Sequence, residues 1–405
     1  MKWEKVKLGE LYEVHNGLSK AGKFFGEGYP FLTFSTVFNN YFIPKQITDL
    51  VQSTEKEQES YSIRRGDVFV TRTSETSDEL GMSCVALKDY PMATYNGFTK
   101  RMRPITNRVF PEYIGYYMRL PSFRGEFRAF STMTTRASLR NEDLLGLEVK
   151  LPSIEIQKQI ADILLAYDDL IENNQKQIKL LEEAAQRLYK EWFVDLRFPG
   201  YENTKIVDGV PEGWQYEKLG DLVKTTSGGT PSRRKSEYYV NGNIRWIKTK
   251  ELNDRFIFET EEHITEDAVK NSSAKVLPEG ALIVAMYGAT IGKIGITAAE
   301  MACNQACCAF ISFDDMISKE YLYCWLMDNR EYLVSQGKGA AQSNLSQEMI
   351  RNFSLLCPDK KVIKNFTEIV TTMLENKRVL ENKILMLSKA RDDLLPKLMS
   401  GEVEV

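Results

Sequence analysis

Apolar residues beyond Ser153 recur at a spacing that only a long helix brings onto one face. Ile160, Tyr167, Leu181 and Leu188 share a seven-residue register that Asn174 interrupts, and Leu164, Ile171, Ile178, Ala185 and Trp192 occupy the register four residues on. Ser153 fits as the N-cap, with Glu155 and Gln157 in the first turn. Near the C-terminus Phe366, Met373, Leu380, Leu387 and Leu394 repeat the pattern, supported by Val370, Ile384 and Leu398, and Pro396 is expected to end or kink that helix. Stripes of this length do not stay in water. Two of them in one chain bury each other most simply as an antiparallel coiled coil, with Ile160, Leu164, Tyr167, Ile171, Ile178, Leu181 and Leu188 facing Phe366, Met373, Leu380, Ile384, Leu387 and Leu394. That pairing would set whatever precedes each helix at opposite ends of a rod.

The segments before the helices mix the two periods. Short β-like runs (Phe31 to Phe34, Asp67 to Thr71, Cys84 to Leu87) alternate with helical stretches such as Pro111 to Arg128, which reads as an α+β domain. The same order returns as Ile244 to Ile247, Ala281 to Met286 and Gly295 to Thr297, followed by a helix over Lys319 to Ser335. The predicted organisation is a domain over 1–152, a helix over 153–196, a second domain over 197–357 and a helix over 358–405.

The two domains are one pattern written twice. KLGEL at Lys7 to Leu11 recurs as KLGDL at Lys218 to Leu222, each four residues after a Trp, Trp3 and Trp214. Gly66-Asp-Val-Phe-Val answers Gly280-Ala-Leu-Ile-Val, Tyr113-Ile-Gly-Tyr-Tyr answers Tyr321-Leu-Tyr-Cys-Trp, and Leu151-Pro152 answers Cys357-Pro358. A period of more than 200 residues is a duplicated domain, far longer than a solenoid repeat.

Composition changes this picture little. With 405 residues and 43% apolar content the chain can bury two domain cores. Six Cys, five of them in the second copy, show no mirrored disulfide spacing, so a reducing cytoplasm is expected. No apolar run reaches the ~18 residues of a membrane span and no apolar stretch follows Met1 to Lys5, so neither secretion nor membrane insertion is expected. A net charge of -3 argues against a general polyanion binder, yet 97–140 holds nine Lys or Arg against two acids and 224–255 eight against three, while 141–196 holds twelve acids against six bases. Basic surface is therefore expected on the repeated domains and acidic surface on the helix.

Enzymatic chemistry finds little to stand on. The two His, His15 and His263, lack counterparts in each other's copy. Cys303, Cys307 and Cys308 have no second cluster to complete a zinc site, so no metal ligands are assigned. Gly288-Ala-Thr-Ile-Gly-Lys-Ile has one residue too few between its glycines, and no Ser or Thr after Lys, for a phosphate loop. Asp143, Glu148 and Lys150 have the spacing of a metal-dependent nuclease, but align with Met349, Ser354 and Leu356, which favours a connector whose polar residues are interchangeable.

Recognition chemistry is better represented. Ser227-Gly-Gly-Thr-Pro-Ser-Arg-Arg-Lys235 combines flexible backbone, hydroxyls and cations suited to phosphates and base edges, through Thr230, Ser232, Arg233 and Arg234. Lys20 and Lys23 stand at the matching place in copy one. Further candidates for DNA contact are Arg72 and Thr73 against Tyr287, Lys100 and Arg101 near Gln305, Thr134 and Arg136 against Gln342, and Lys248 and Lys250. A coiled-coil scaffold with protein-binding ends is the competing reading, favoured by the acidic pI and disfavoured by the loop cations.

The chain resembles the specificity subunits of type I restriction-modification systems from end to end. The resemblance lies in the Leu-Pro close of copy one followed by Ile154 to Asn174, in Leu188-Tyr-Lys-Glu-Trp-Phe193, in Leu394-Leu-Pro-Lys-Leu-Met-Ser-Gly-Glu402, and in the Gly228-Gly-Thr-Pro-Ser and Tyr287-Gly-Ala-Thr-Ile-Gly loops. It implies a cytoplasmic, non-catalytic subunit whose two target recognition domains each read half of a bipartite double-stranded DNA sequence, while the helices set the gap. It also implies two methyltransferase (modification) subunits docked on those helices, restriction/translocase subunits as further partners, and S-adenosylmethionine, ATP and Mg2+ carried by partner chains and none by this one. Copy two lacks the basic density of Lys100 to Arg140 in its matching stretch, so residues do not transfer one by one between the copies.

Overall fold

The structure, a computed structural model, describes residues 3–74, 80–129, 137–337 and 344–405. It is an α+β chain that divides into two compact units, Met1–Asp169 with Leu387–Val405, and Leu170–Met386. Both divisions fall inside the long helices, so each unit takes a part of each helix.

In the first unit strand Glu4–Lys7 pairs antiparallel with Glu148–Leu151, Glu4 opposite Leu151 and Lys7 opposite Glu148, so the copy's two ends close on each other. The second unit repeats this with Gln215–Lys218 against Ser354–Cys357. After each opening strand the Leu-Gly-acid-Leu motif makes a single helical turn, Leu8–Leu11 or Leu219–Leu222. Its first N–H donates to Leu147 O at 2.8 Å in one copy and to Phe353 O at 2.8 Å in the other. The Tyr113 hydroxyl donates to Lys150 O at 3.0 Å and the Tyr321 hydroxyl to Leu356 O at 2.7 Å, so the aligned tyrosines do the same work.

Each core straddles a sheet. In the first unit Tyr12–Asn16, Thr99–Pro104, Val68–Thr71 and Ser83–Val85 form an antiparallel sheet in that order. Val68 and Val70 face the helices while Phe69 joins a cluster with Leu32, Cys84 and Tyr95 on the other face, as the pleat requires. The equivalent strand Leu282–Ala285 sends Leu282 and Val284 one way and Ile283 and Ala285 the other, within a sheet of Val223–Ser227, Cys307–Phe313, Leu282–Ala285, Ile294–Thr297 and Arg255–Ile257. Burial on both faces explains why these strands read as unbroken apolar runs.

Two expected helices are each two. Pro121 cannot continue the helix Pro111–Tyr117, and a second, Pro121–Ala129, begins at it; in the second unit Lys319–Asp328 stops at Asn329 and Arg330–Gln336 follows. The run from Phe31 ends as a strand at Leu32, because the Thr33 hydroxyl accepts from Thr36 N–H at 3.2 Å and caps the helix Phe34–Asn39.

The long helices are Ile154–Tyr189 and Lys360–Ser400. Within each unit their segments run antiparallel. In the first, Ile160, Ala161 and Leu164 share a cluster with Leu395, Leu398 and Met399, and Arg391 binds Asp168. In the second, Ala185, Tyr189 and Trp192 meet Phe366, Val370 and Leu374. The Ser153 hydroxyl receives Ile156 N–H at 3.5 Å, while Gln157, 1% exposed, bonds Phe110 N–H, Arg108 O and Pro152 O. Pro396 does not end its helix, which continues to Ser400 with Leu398 and Met399 buried.

The buried stripe departs from the expected one. Ile160, Leu164, Phe366 and Leu380 are buried, but Tyr167, Ile171, Ile178, Leu181, Leu188, Met373, Ile384, Leu387 and Leu394 are half-buried, and Leu374 and Leu395 take the inner places beside Met373 and Leu394. A helix of 3.6 residues per turn drifts ~20° per heptad, which moves burial one residue along. Asn174, the interruption in the register, is itself buried.

At the polar centre of the second unit stands Lys377, 1% exposed. Its ammonium donates to Glu182 at 2.6 Å, to Asp254 O at 2.6 Å and to the Tyr323 hydroxyl at 3.1 Å, with Glu381 at 3.8 Å. Burial alone would lower it; Tyr323, Glu381 and Glu182 outweigh that and hold it above its ordinary value. Burial pushes the Glu381 carboxyl up to about 7 against the pull of Lys377, Arg255 and the Phe256 N–H. A carboxyl with a raised folded pKa contributes stability that is whole below its unfolded value of ~4.3 and is lost as pH rises through the folded one. Glu381→Gln is therefore expected to flatten the decline in melting temperature between about pH 5 and pH 8; a slope matching the parent's would show that Glu381 does not set it.

Among the described residues no helix is long and apolar enough to cross a membrane.

Candidate nucleic-acid interface

One turn is built identically in both copies. Asn96 and Asn304 each accept, through Oδ1, the N–H two residues on (Phe98 at 2.7 Å, Ala306 at 3.1 Å). Each main-chain oxygen takes the N–H three residues on, from Thr99 at 3.0 Å and Cys307 at 3.2 Å. Their own N–H groups donate to Leu32 O at 3.0 Å and Ile247 O at 2.9 Å, and the preceding carbonyls accept Leu18 N–H at 2.8 Å and Gly229 N–H at 2.9 Å. Gly17 and Gly228 let the neighbouring strand pass: a Cβ on Gly17 would overlap the Asn96 carbonyl, and one on Gly228 the Cys303 carbonyl. The frame is shared, but its outward residue is not. Gly97 is buried and Phe98 is 58% exposed in the first copy; in the second Gln305 is exposed and Ala306 is buried.

The glycine-rich loop of copy two is packed rather than free. A Cβ on Gly229 would overlap Ser273 and Ala274, Gly229 O accepts Trp246 Nε1–H at 3.0 Å, and Pro231 O accepts the Tyr239 hydroxyl at 2.6 Å. Its flexibility, expected from composition, is replaced by close approach of main chains. Arg233 lies over Tyr239 at 4.4 Å and pairs with Glu262 at 2.6 Å. Lys248 binds Glu262 and Glu261, and Lys250 binds Glu261. Hydrogen bonding from Arg233, then from Lys248, holds the Glu262 carboxyl below its usual range against burial. The cationic cluster is thus partly compensated by Glu261 and Glu262, further along the chain. Ser232 and Arg234 are exposed, and Arg234 makes no ion pair among the described residues. Thr230 donates to Gln305, placing those two candidates side by side, and Tyr287 is half-buried against the core.

In copy one Lys20 pairs with Glu57 at 2.8 Å, and Lys20 and Lys23 lie over Phe24 at 5.2 and 5.1 Å. Arg72 reaches Asn16 Oδ1 at 3.4 Å, and its N–H donates to Phe98 O at 3.0 Å. Lys100 and Arg101 correct the sequence reading. They lie within strand Thr99–Pro104 at 5% and 4% exposure, where Lys100 bonds Asn141 and Arg101 donates to Ser62 O at 2.8 Å over the Tyr95 ring. Burial, then the charge of Arg72, lowers the Lys100 ammonium, with Asp143 pulling the other way. These two cations hold the framework. Thr73 contributes main chain to a bridge opposite Ser138; its side chain, with Thr134, Arg136 and Gln342, lies outside the described residues. Phe98 escaped the sequence reading, although an Asn-Gly pair followed by an aromatic is a turn carrying an apolar tip.

Two of the nuclease-like residues have other partners. Asp143 acts on Lys100, whereas Glu148 pairs with Lys5 at 3.8 Å. Among the described residues no group of three or more His, Cys, Asp or Glu is placed to hold a metal ion. All six cysteines are free and buried, and burial pushes Cys84 and Cys308 up to about 12, leaving them unreactive thiols.

The family model for the type I restriction modification DNA specificity domain matches residues 1–183 and again 211–386. The type I restriction enzyme MjaIX specificity subunit of Methanocaldococcus jannaschii is 27% identical over 414 residues, covering 100% of this chain and 94% of the relative. The HindI specificity subunit of Haemophilus influenzae is 25% identical over 473 residues, covering 99% of each. The crystal structure of a type I restriction-modification S subunit from M. genitalium superposes with a TM-score of 0.61 at 14% identity, covering 98% of this chain and 96% of that one, and shares the fold.

Proposed function

The chain belongs to the type I restriction modification DNA specificity family, and from that premise we propose that each of its two copies reads one half of a bipartite double-stranded DNA target while the long helices fix the gap and dock modification subunits. One observation carries the reading: a turn held by the same main-chain contacts in both copies presents a different side chain in each. A duplicated frame with different outward residues is what two readers of different sequences need.

Docking on the helices is supported by large apolar side chains left in solvent, among them Leu180 at 64%, Val379 at 51% and Met386 at 65% exposure. In this reading the chain is a cytoplasmic, non-catalytic subunit; two modification subunits supply methyl transfer with S-adenosylmethionine, and restriction/translocase subunits supply ATP- and Mg2+-dependent steps. It is tested by mapping methylation in cells that carry the chain with its modification partner, beside a chain whose residues 223–313 come from another member of the family. The expected result is a gapped two-part motif of which one part changes and the other stays. An ungapped motif, or none, would overturn the reading.

A further inference from the structure

We propose that the tip of the Asn96 and Asn304 turns is the equivalent base-reading position of the two copies, with Phe98 taking a thymine methyl group and Gln305 an adenine edge. The inference rests on the proposed DNA-reading function and deepens it to single residues.

Phe98 is held out on purpose by its surroundings. The turn is tied at Asn96 Oδ1 and Asn96 O, at Leu32 O and by the Arg72 N–H on Phe98 O, so the ring does not owe its exposure to a loose loop. Gly97 packs against Ser19, because a Cβ there would overlap that hydroxyl, and this leaves Phe98 as the outward member of the pair. Polar groups adjoin it: Arg72, whose N–H holds Phe98 O, reaches Asn16, and Ser19 lies against the neighbouring Gly97. A phenyl ring has no hydrogen bond to offer phosphates or the polar edges of bases. The apolar feature that a base pair shows in the major groove is the thymine C5 methyl group, which makes thymine its chemical complement.

At the same point of copy two the outward residue moves one place earlier and changes chemistry. The amide of Gln305 carries a donor and an acceptor, the pair that matches adenine N7 and N6. Thr230, exposed beside it, donates to Oε1 and restrains the amide plane, so its orientation is set before DNA arrives. The turn's contacts are main-chain or Asn Oδ1 contacts, so the tip can change while the frame stands.

The test compares methylation motifs of cells carrying the parent chain, Phe98→Ala or Gln305→Ala with the same modification partner. Phe98→Ala is expected to relax one thymine position in one half-site and leave the other half intact; Gln305→Ala does the converse at an adenine. Phe98→Leu, which keeps an apolar tip, retains the thymine preference. Deoxyuridine in place of that thymine, which removes the methyl alone, is expected to weaken binding by the parent complex about tenfold and to leave the Phe98→Ala complex unaffected. Because this arm uses the parent protein, it decides the matter even where a variant folds poorly. A gapped motif unchanged in both alanine variants, or indifference of the parent complex to deoxyuridine at every thymine, overturns the inference while the proposed function stands. A parent chain that directs no gapped motif overturns both.

Discussion

Lys377→Ala is expected to destabilise the second unit by about 3–5 kcal/mol, the cost of breaking a buried ion pair by removing one partner. The lysine is 1% exposed and is the common donor to Glu182, Asp254 O and the Tyr323 hydroxyl, so its loss strands an acceptor on each of three elements at once. Glu381 would then keep its proton to still higher pH, since the neighbour that pulls its carboxyl down is gone. Denaturant unfolding reads the loss as an earlier transition of the second unit. Lys377→Met combined with Glu182→Met, which takes out both members of the closest ion pair and keeps side-chain volume, is expected to recover part of it. A loss under about 1 kcal/mol for the alanine variant would show that the network is solvated and contributes as a surface pair does.

Gly17→Ala and Gly228→Ala are expected to abolish reading in one half-site each. The added methyl group meets a main-chain carbonyl, of Asn96 in one copy and Cys303 in the other, and main chain cannot rotate aside as a side chain would. The turn must move, at a stability cost of about 1–3 kcal/mol. The glycines are followed by Leu18 and Gly229, whose N–H groups hold the Tyr95 and Cys303 carbonyls, so the displacement reaches the turn's tip directly. Methylation mapping is expected to show each variant losing its own half of the motif while the other half persists. Both halves surviving in both variants would separate this turn from recognition.

These outcomes depend on features that the sequence discloses unevenly. The duplication was legible because strand pairing and core alternation force the same residue classes at the same offsets: Val68-Phe69-Val70 and Leu282-Ile283-Val284 are buried on alternate faces of equivalent strands. The long helices were legible from their heptads, but the inner stripe was not, since each helix drifts against a seven-residue count and Leu374 and Leu395 replace Met373 and Leu394 inside. Lys377 gave no signal. A lysine becomes a core residue only when Asp254 and Tyr323, more than 50 residues away in sequence, bring oxygens to it. The loop cations were legible as charge, and their compensation was not, because Glu261 and Glu262 reach Arg233, Lys248 and Lys250 only after the chain turns back. Lys100 and Arg101 looked like surface for the same reason: alternation along Thr99–Pro104 fails where a strand is covered on both faces.

The ladder that joins Glu4–Lys7 to Glu148–Leu151, and its twin between Gln215–Lys218 and Ser354–Cys357, gives each copy a seam. The chain enters and leaves a copy on adjacent strands, ~5 Å apart, so the stretch between them begins and ends at one hydrogen-bonded edge and packs one face of its sheet against the long helices. Genetic exchange that cuts within the seam therefore delivers a whole cassette into a recipient whose own ladder already has the right register. Such a chain can acquire a new half-site in one recombination event when the incoming copy keeps the residues that pack on the recipient's long helices.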